Sequence, residues 1–311
     1  MPASLRALLE RSIDYAGMFP PCSIELEPAL KNQAEYVRSP DAWMLSTFVL
    51  PVAQFETAEK SLSQFDPKHP LRISALGPKS ETAAEFIAAL KKTTEAIRSF
   101  QAQHVDLVSV VQLEMLLPVR AGLALNVDLK ELNEARSIIG DLKLQAFWEA
   151  PVDAAEETID LLAGHNSKTK AAAFGFKLRT GGVTADAFPV SIQIARALIA
   201  ATKHHVPIKF TAGLHHPVRQ FRDEVQTKMH GFLNVLGAGV LAAEHQWNEQ
   251  QTVAMLEDED TAAFSFHDTV FAWNEWEITM DRIKARRKLV TSFGSCSFDE
   301  PREDLRSLGF L

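Results

Sequence analysis

A chain of 311 residues, 46% hydrophobic and 23% charged, has the composition of an ordinary globular protein. It is long enough for two domains of about 150 residues or for one large α/β barrel. The net charge of −8 and the lack of a basic tail argue against a nucleic-acid partner, which needs clustered Lys and Arg to displace counterions. No apolar run reaches the roughly 18 residues of a bilayer span, and the opening stretch MPASLRALLERSIDYAG has no long apolar segment or small-residue cleavage site. A cytoplasmic protein with no membrane partner is expected.

Short β-like runs, each closed by Gly, Pro or a polar cluster, recur along the chain. A first strand is expected within 12-SIDYAGMF-19, followed by 43-WMLSTFVLP-51, 71-LRISALG-77, 105-VDLVSVVQLEML-116, 142-LKLQAFWEAP-151, 172-AAFGFKLRTGG-182 and 206-VPIKFTAGLHHP-217. The centres of the last six are spaced by 28, 37, 35, 30 and 33 residues. One strand and one helix of a (β/α)₈ barrel average about 31 residues. The intervening stretches have helical periodicity. Phe86, Leu90, Ile97 and Phe100 form one stripe of 82–101, and Val190, Ile194, Leu198 and Ala201 form another within 189–205. Helices alternating with buried strands imply parallel pairing. The last strand falls in 288-KLVTSFGSCSF-298, before a closing helix in 301–311. A single (β/α)₈ TIM barrel over residues 1–311 is therefore predicted, with a helical excursion at about 218–287 before the final strand. Within the excursion, 231–242 reads as a buried helix or a strand. The alternating aromatics of 264-FSFHDTVFAWNEW-276 read as a short strand that covers the barrel or meets a second subunit, so a homo-oligomer is among the expected partners. Cys22 and Cys296 form no CxxC motif and read as small buried residues.

Side chains alternate faces along a strand, and one face of a barrel strand looks inward. Phe174, Phe176 and Leu178 form a bulky face opposite Ala173, Gly175, Lys177 and Arg179, so the basic pair points in. Lys209 and Thr211 oppose Ile208 and Phe210 in the same way. Gln145, Phe147 and Glu149 share a face, as do Asp106, Val108, Val110, Gln112 and Glu114. Asp14 is either an inward acid or a turn cap, and 14-DYAGMFPP-21 is placed at the mouth. Ionised groups at successive C-terminal strand ends suggest an active site, because barrels build their sites there.

The near-repeat K-L-R-T-G at 177–181 and K-F-T-A-G at 209–213 puts two lysines one β/α unit apart. An inward lysine beside a second cation is expected to have a lowered pKa and so to supply a free amine for attack on a carbonyl. A strand ending F-K-x-x-T-G followed by a second ending K-x-x-x-G resembles the class I aldolases of the deoxyribose-phosphate aldolase type. The stretch 105-VDLVSVV-111 and the turn 293-FGSCS-297 are similar to that family's V-D-x-V and G-x-S-S motifs. The resemblance implies Lys177 as the Schiff-base nucleophile, Lys209 as its perturber, Asp106 as the proton relay, and Gly294 and Ser295 as a phosphate cradle. Glu114 and Glu149, nearer their strand ends, are further acid/base candidates.

Arg179, Thr180, Gly181, Thr211, His215, His216 and Arg219 follow the lysine strands and are candidates for binding a small anionic substrate. The expected activity is an aldolase-like lyase step that needs no cofactor. Two other readings are a metal-dependent lyase or hydrolase using His215, His216 and a strand-end carboxylate, with His230 as a further ligand candidate, and a barrel that only binds a small anion.

Overall fold

A computed structural model describes residues 1–119 and 125–311. Eight parallel strands close into a cylinder: β1 (Ile13–Tyr15), β2 (Leu45–Pro51), β3 (Leu71–Leu76), β4 (Val108–Leu116), β5 (Gln145–Glu149), β6 (Gly175–Arg179), β7 (Ile208–Thr211) and β8 (Val290–Ser295). Each strand pairs with its sequence neighbours, and β1 also pairs with β8 to close the ring. Helical segments follow every strand, which makes this the predicted (β/α)₈ TIM barrel. The striped stretch 82–101 forms helix Ala83–Gln103, whose first turn is capped reciprocally by Thr82 and Glu85. Its stripe of Phe86, Leu90, Ile97 and Phe100 is buried.

All eight strands lie inside the predicted runs, but β4 departs from strict alternation. Ile73 pairs with Val110 while Ser74 pairs with Gln112, which leaves Val111 as an extra residue on β4. A bulge of this kind re-aims the side chains beyond it, so Asp106 and Val108 do not share a face with Gln112 and Glu114 as the sequence suggested.

The 218–287 excursion is helical in its main body, with Phe232–His245, Glu249–Glu257 and Met280–Arg286, and 231–242 resolves to helix. It also holds an antiparallel ribbon of Gln220–Arg222 with Thr227–Met229, and a three-stranded antiparallel sheet of Phe264–Phe266, Val270–Trp273 and Trp276–Thr279. Phe264, Phe266, Phe271 and Trp273 are buried, and Trp247 meets Trp273 and Trp276 edge-on. This aromatic stripe therefore packs the insertion's own core beside the N-terminal helix Ala3–Leu9, where Ser4 N–H donates to His267 C=O. Among the described residues no helix is long and apolar enough to cross a membrane.

The two lysine strands end against each other. A Cβ built on Gly181 or on Gly213 would lie 2.8 Å from the other's Cα, and Gly213 has φ +76°. The glycines of the K-x-x-x-G repeat are thus fixed by a backbone contact between the ends of β6 and β7, in a conformation an L side chain rarely adopts. Gly213→Ala is expected to cost about 1–3 kcal/mol in urea denaturation. A stability unchanged within error would show that the strand ends can separate freely.

A candidate active site in the mouth of the barrel

Five ionisable side chains from five strands form a chain of alternating charge across the barrel interior. Asp14 on β1 meets Lys209 on β7 at 2.8 Å, and Lys209 meets Glu114 on β4 at 2.6 Å. Glu114 reaches Lys177 on β6 at 2.7 Å, and Lys177 reaches Glu149 on β5 at 2.8 Å. The two oxygens of Glu114 serve different lysines, Oε1 for Lys209 and Oε2 for Lys177. The inward direction of both lysines and of both glutamates follows the alternation read in β5, β6 and β7 and, for Glu114, the strand beyond the bulge.

The two ends of this chain differ. At the inner end Asp14 is fully buried and accepts from Thr47 Oγ1 at 2.5 Å and Ser292 Oγ at 2.6 Å, which makes it an inward acid and not a turn cap. Lys209 also donates to Gln112 Oε1 at 2.6 Å, and its Nζ sits 5.3 Å from the centroid of the Phe147 ring. Ser74 Oγ donates to Glu114. Every charged group at this end therefore has partners, as buried charge requires. At the outer end the Glu149 side chain is 19% exposed. Glu114, Lys177 and Glu149 line a cavity of about 440 Å³ at the C-terminal ends of the strands. Its wall adds Lys79 and Arg179, Phe19, Pro20 and Pro21 of the first turn, and Thr211, His215, Gly294 and Cys296.

Electrostatics reverse one expectation. Burial acts to lower the Lys177 pKa, but the charges of Glu114 and Glu149 and their hydrogen bonds outweigh it and raise the pKa above the ordinary lysine value. Burial likewise opposes ionisation of Glu114, and the two ammonium groups overcome it to hold that carboxyl far below the usual carboxylate range. The sequence predicted a lysine depressed by a neighbouring cation. In the structure the Glu114 carboxylate stands between the two amines and Glu149 flanks Lys177 on its other side, which holds Lys177 as an ammonium group.

Several predicted site residues lie elsewhere. Asp106 is exposed with φ +68°, ahead of β4 and so at the opposite end of the strand from the cavity. The Thr180 hydroxyl donates to Ala212 C=O at 2.7 Å, tying strand ends together, and Gly181 packs on Gly213. Gly294 lines the cavity, whereas Ser295 is buried in β8. Ser297 Oγ already accepts the Glu300 N–H, and Asp299 and Glu300 occupy the first turn of the following helix Asp299–Ser307. Their charge disfavours a phosphate at that helix end.

The two histidines diverge. His215 lines the cavity and pairs with Glu300 at 3.1 Å, while His216 does not line it and pairs with Asp304 at 2.6 Å and, more loosely, with Glu300 at 3.8 Å. Neither meets Glu114 or Glu149, and among the described residues no group of three or more His, Cys, Asp or Glu is arranged to hold a metal ion. Arg219 donates through Nη1 to His230 Nδ1 at 2.9 Å and is not among the residues lining the cavity.

The site members with no distinct sequence signal are Thr47, Ser74 and Ser292, hydroxyls whose partners come from other strands. Cys22 was expected to be buried but is exposed on the turn after β1, with its sulfur 2.7 Å from that of Cys296. No known family model matches the chain, and no curated protein is similar to it.

Proposed function

We propose that the protein is a lyase that cleaves or forms a C–C bond in a small anionic carbonyl compound through an imine on Lys177. The observation that carries this reading is a buried amine on the cavity floor with a proton acceptor in direct contact. Lys177 is the lysine that both lines the cavity and belongs to the buried charge chain, and Glu149 Oε2 lies 2.8 Å from its Nζ. The other lining lysine, Lys79, is exposed and supplies positive charge to the wall together with Arg179, which suits an anionic substrate.

The chemistry requires the ammonium proton to leave first. It passes to Glu149, the more exposed of the two flanking carboxylates, and the freed amine attacks the carbonyl carbon to give a carbinolamine. Glu149 returns a proton to the new hydroxyl, which departs as water and leaves an iminium. The iminium accepts the electron pair of the cleaving C–C bond as an enamine, while a carboxylate takes the proton of the β-hydroxyl. Protonation of the enamine at carbon and hydrolysis of the resulting imine then restore the lysine. Glu114 keeps both neighbours aligned, and Lys209, sealed beneath, neutralises it.

Incubating the protein with a panel of small aldehydes and keto acids in the presence of borohydride tests this directly. Peptide mapping should find a reduced adduct on Lys177, absent in Lys177→Met, and turnover of any substrate so identified should fall on the order of a thousandfold or more in that variant. Absence of a trapped lysine across the panel removes the imine reading.

The elevated Lys177 pKa favours one second reading, in which the ammonium stays protonated and polarises the substrate carbonyl while Glu149 removes an adjacent proton. Turnover that proceeds with no trapped adduct selects it.

A further inference from the structure

Cys22 and Cys296 are 274 residues apart in sequence, yet their Sγ atoms lie 2.7 Å apart at the cavity mouth. They are the two cysteines of the chain, so no other intrachain partner competes for either. Cys296 follows β8 and lines the cavity. Cys22 lies on the turn that begins where Ala16 N–H donates to Ser295 C=O and ends where Ile24 N–H donates to Gly17 C=O. Those bonds hold the two backbone segments in place on either side of the sulfur pair. A disulfide needs its sulfurs about 2.05 Å apart, so only a small approach separates this dithiol from the bonded state.

We propose that Cys22 and Cys296 form a redox-active dithiol that exchanges with small-molecule disulfides and closes into a reversible intramolecular bond at the mouth of the barrel. The two sulfurs have distinct parts. Cys22 is exposed and meets the incoming disulfide; Cys296 is buried behind it and acts as the resolving thiol. Cys22 gives its proton to solvent and attacks one sulfur of the small disulfide. A mixed disulfide forms and one small thiolate leaves. Cys296 then attacks the Cys22 sulfur, forming the internal bond and expelling the second small thiol. Overall the protein loses two protons and two electrons, and the external disulfide is reduced to two thiols.

The Nδ1 of His215 lies 3.9 Å from the Cys296 sulfur but donates its proton to Glu300 Oε2 at 3.1 Å, so the Cys296 proton passes instead to the small thiolate released in the first step. Burial and the adjacent Cys22 otherwise keep Cys296 in its thiol form, so a nearby base is needed at the resolving step. Once formed, the bond would staple the turn carrying Phe19, Pro20 and Pro21, one wall of the cavity, to the end of β8.

The test is equilibration of the whole protein in buffers of increasing oxidised to reduced glutathione ratio, followed by acid quenching, alkylation and mass mapping. The wild type should shift to a form lighter by two hydrogens, with one cross-linked peptide joining Cys22 to Cys296, and should return to the dithiol on adding reduced glutathione. The cross-link should outnumber glutathione adducts by about tenfold or more, because the resolving thiol is held in place rather than met by diffusion. In Cys296→Ser the adduct on Cys22 should accumulate instead. Wild-type protein that stays fully alkylatable, that stops at the Cys22 adduct, or that forms only bonds between molecules overturns the proposal. None of these measurements depends on the lysine chemistry.

Discussion

Lys209→Met is expected to destabilise the protein by about 3–5 kcal/mol in chemical denaturation, the largest loss among single substitutions at the site that leave the backbone unchanged. Lys209 is 1% exposed and lies between Asp14 and Glu114, themselves 0% and 2% exposed. Removing its charge leaves Asp14 buried with the Thr47 and Ser292 hydroxyls alone and takes one of two ammonium partners from Glu114, and burying an unpaired ion costs far more than the pair contributes net. Methionine conserves most of the volume, so the loss reports electrostatics and not a cavity. Adding Asp14→Asn should recover part of it, because the two positions are in contact and their effects are not additive. A Lys209→Met protein within 1 kcal/mol of wild type would mean that the inner end of the charge chain is solvated, contrary to its burial.

The second large effect is a loss of stability on mild acidification, carried by His230. Its ring is 2% exposed, with Nε2 against Pro189 C=O and Nδ1 against Arg219 Nη1, both at 2.9 Å. Arg219 can only donate, so Nδ1 must accept and the ring must be neutral, with its proton on Nε2. Burial first, and then the Arg219 charge against the partial offset from Pro189, lowers its pKa from 6.5 to about 4. The folded protein therefore binds this proton less readily than the unfolded chain. Stability contributed by the neutral ring is intact above pH 6.5 and declines as pH falls towards about 4, by roughly 3 kcal/mol in all. His230→Gln does not titrate in this window, so the gap between its stability and that of wild type should narrow by about that amount across it. Parallel curves for the two proteins would show that the folded protein binds this proton as readily as the unfolded chain.

The barrel was legible because its signal is repeated: six runs spaced close to one strand–helix unit, four of them with faces that alternation separates. Inward placement of Lys177, Lys209, Glu149 and Phe147 followed from parity alone. Parity failed where it had to cross a defect. The extra residue at Val111 separates Asp106 from Glu114 in facing, and strand polarity puts Asp106 at the wrong end. The lysine pKa was misjudged for a related reason. The sequence shows that two amines are on adjacent strands, but their sign of perturbation depends on Glu114 lying between them, a contact across the barrel interior. His215 and His216 show a further limit, since adjacency in sequence suggested a shared site and, although both face Glu300 on the helix Asp299–Ser307, only His215 lines the cavity while His216 is tied to Asp304.

Asp14 has a consequence for the order in which the molecule is assembled. Its partners Lys209 and Ser292 lie 195 and 278 residues downstream. During synthesis this carboxylate must therefore remain hydrated while most of the polypeptide is made, and it loses its water only when the final stave slots in beside the first. An emerging chain that lacks 290–295 exposes two unpaired strand edges, on β1 and β7, of the kind that invite association with other chains. Closure of the ring and dehydration of its innermost acid are thus a single late event, on which the ordering of the whole interior depends.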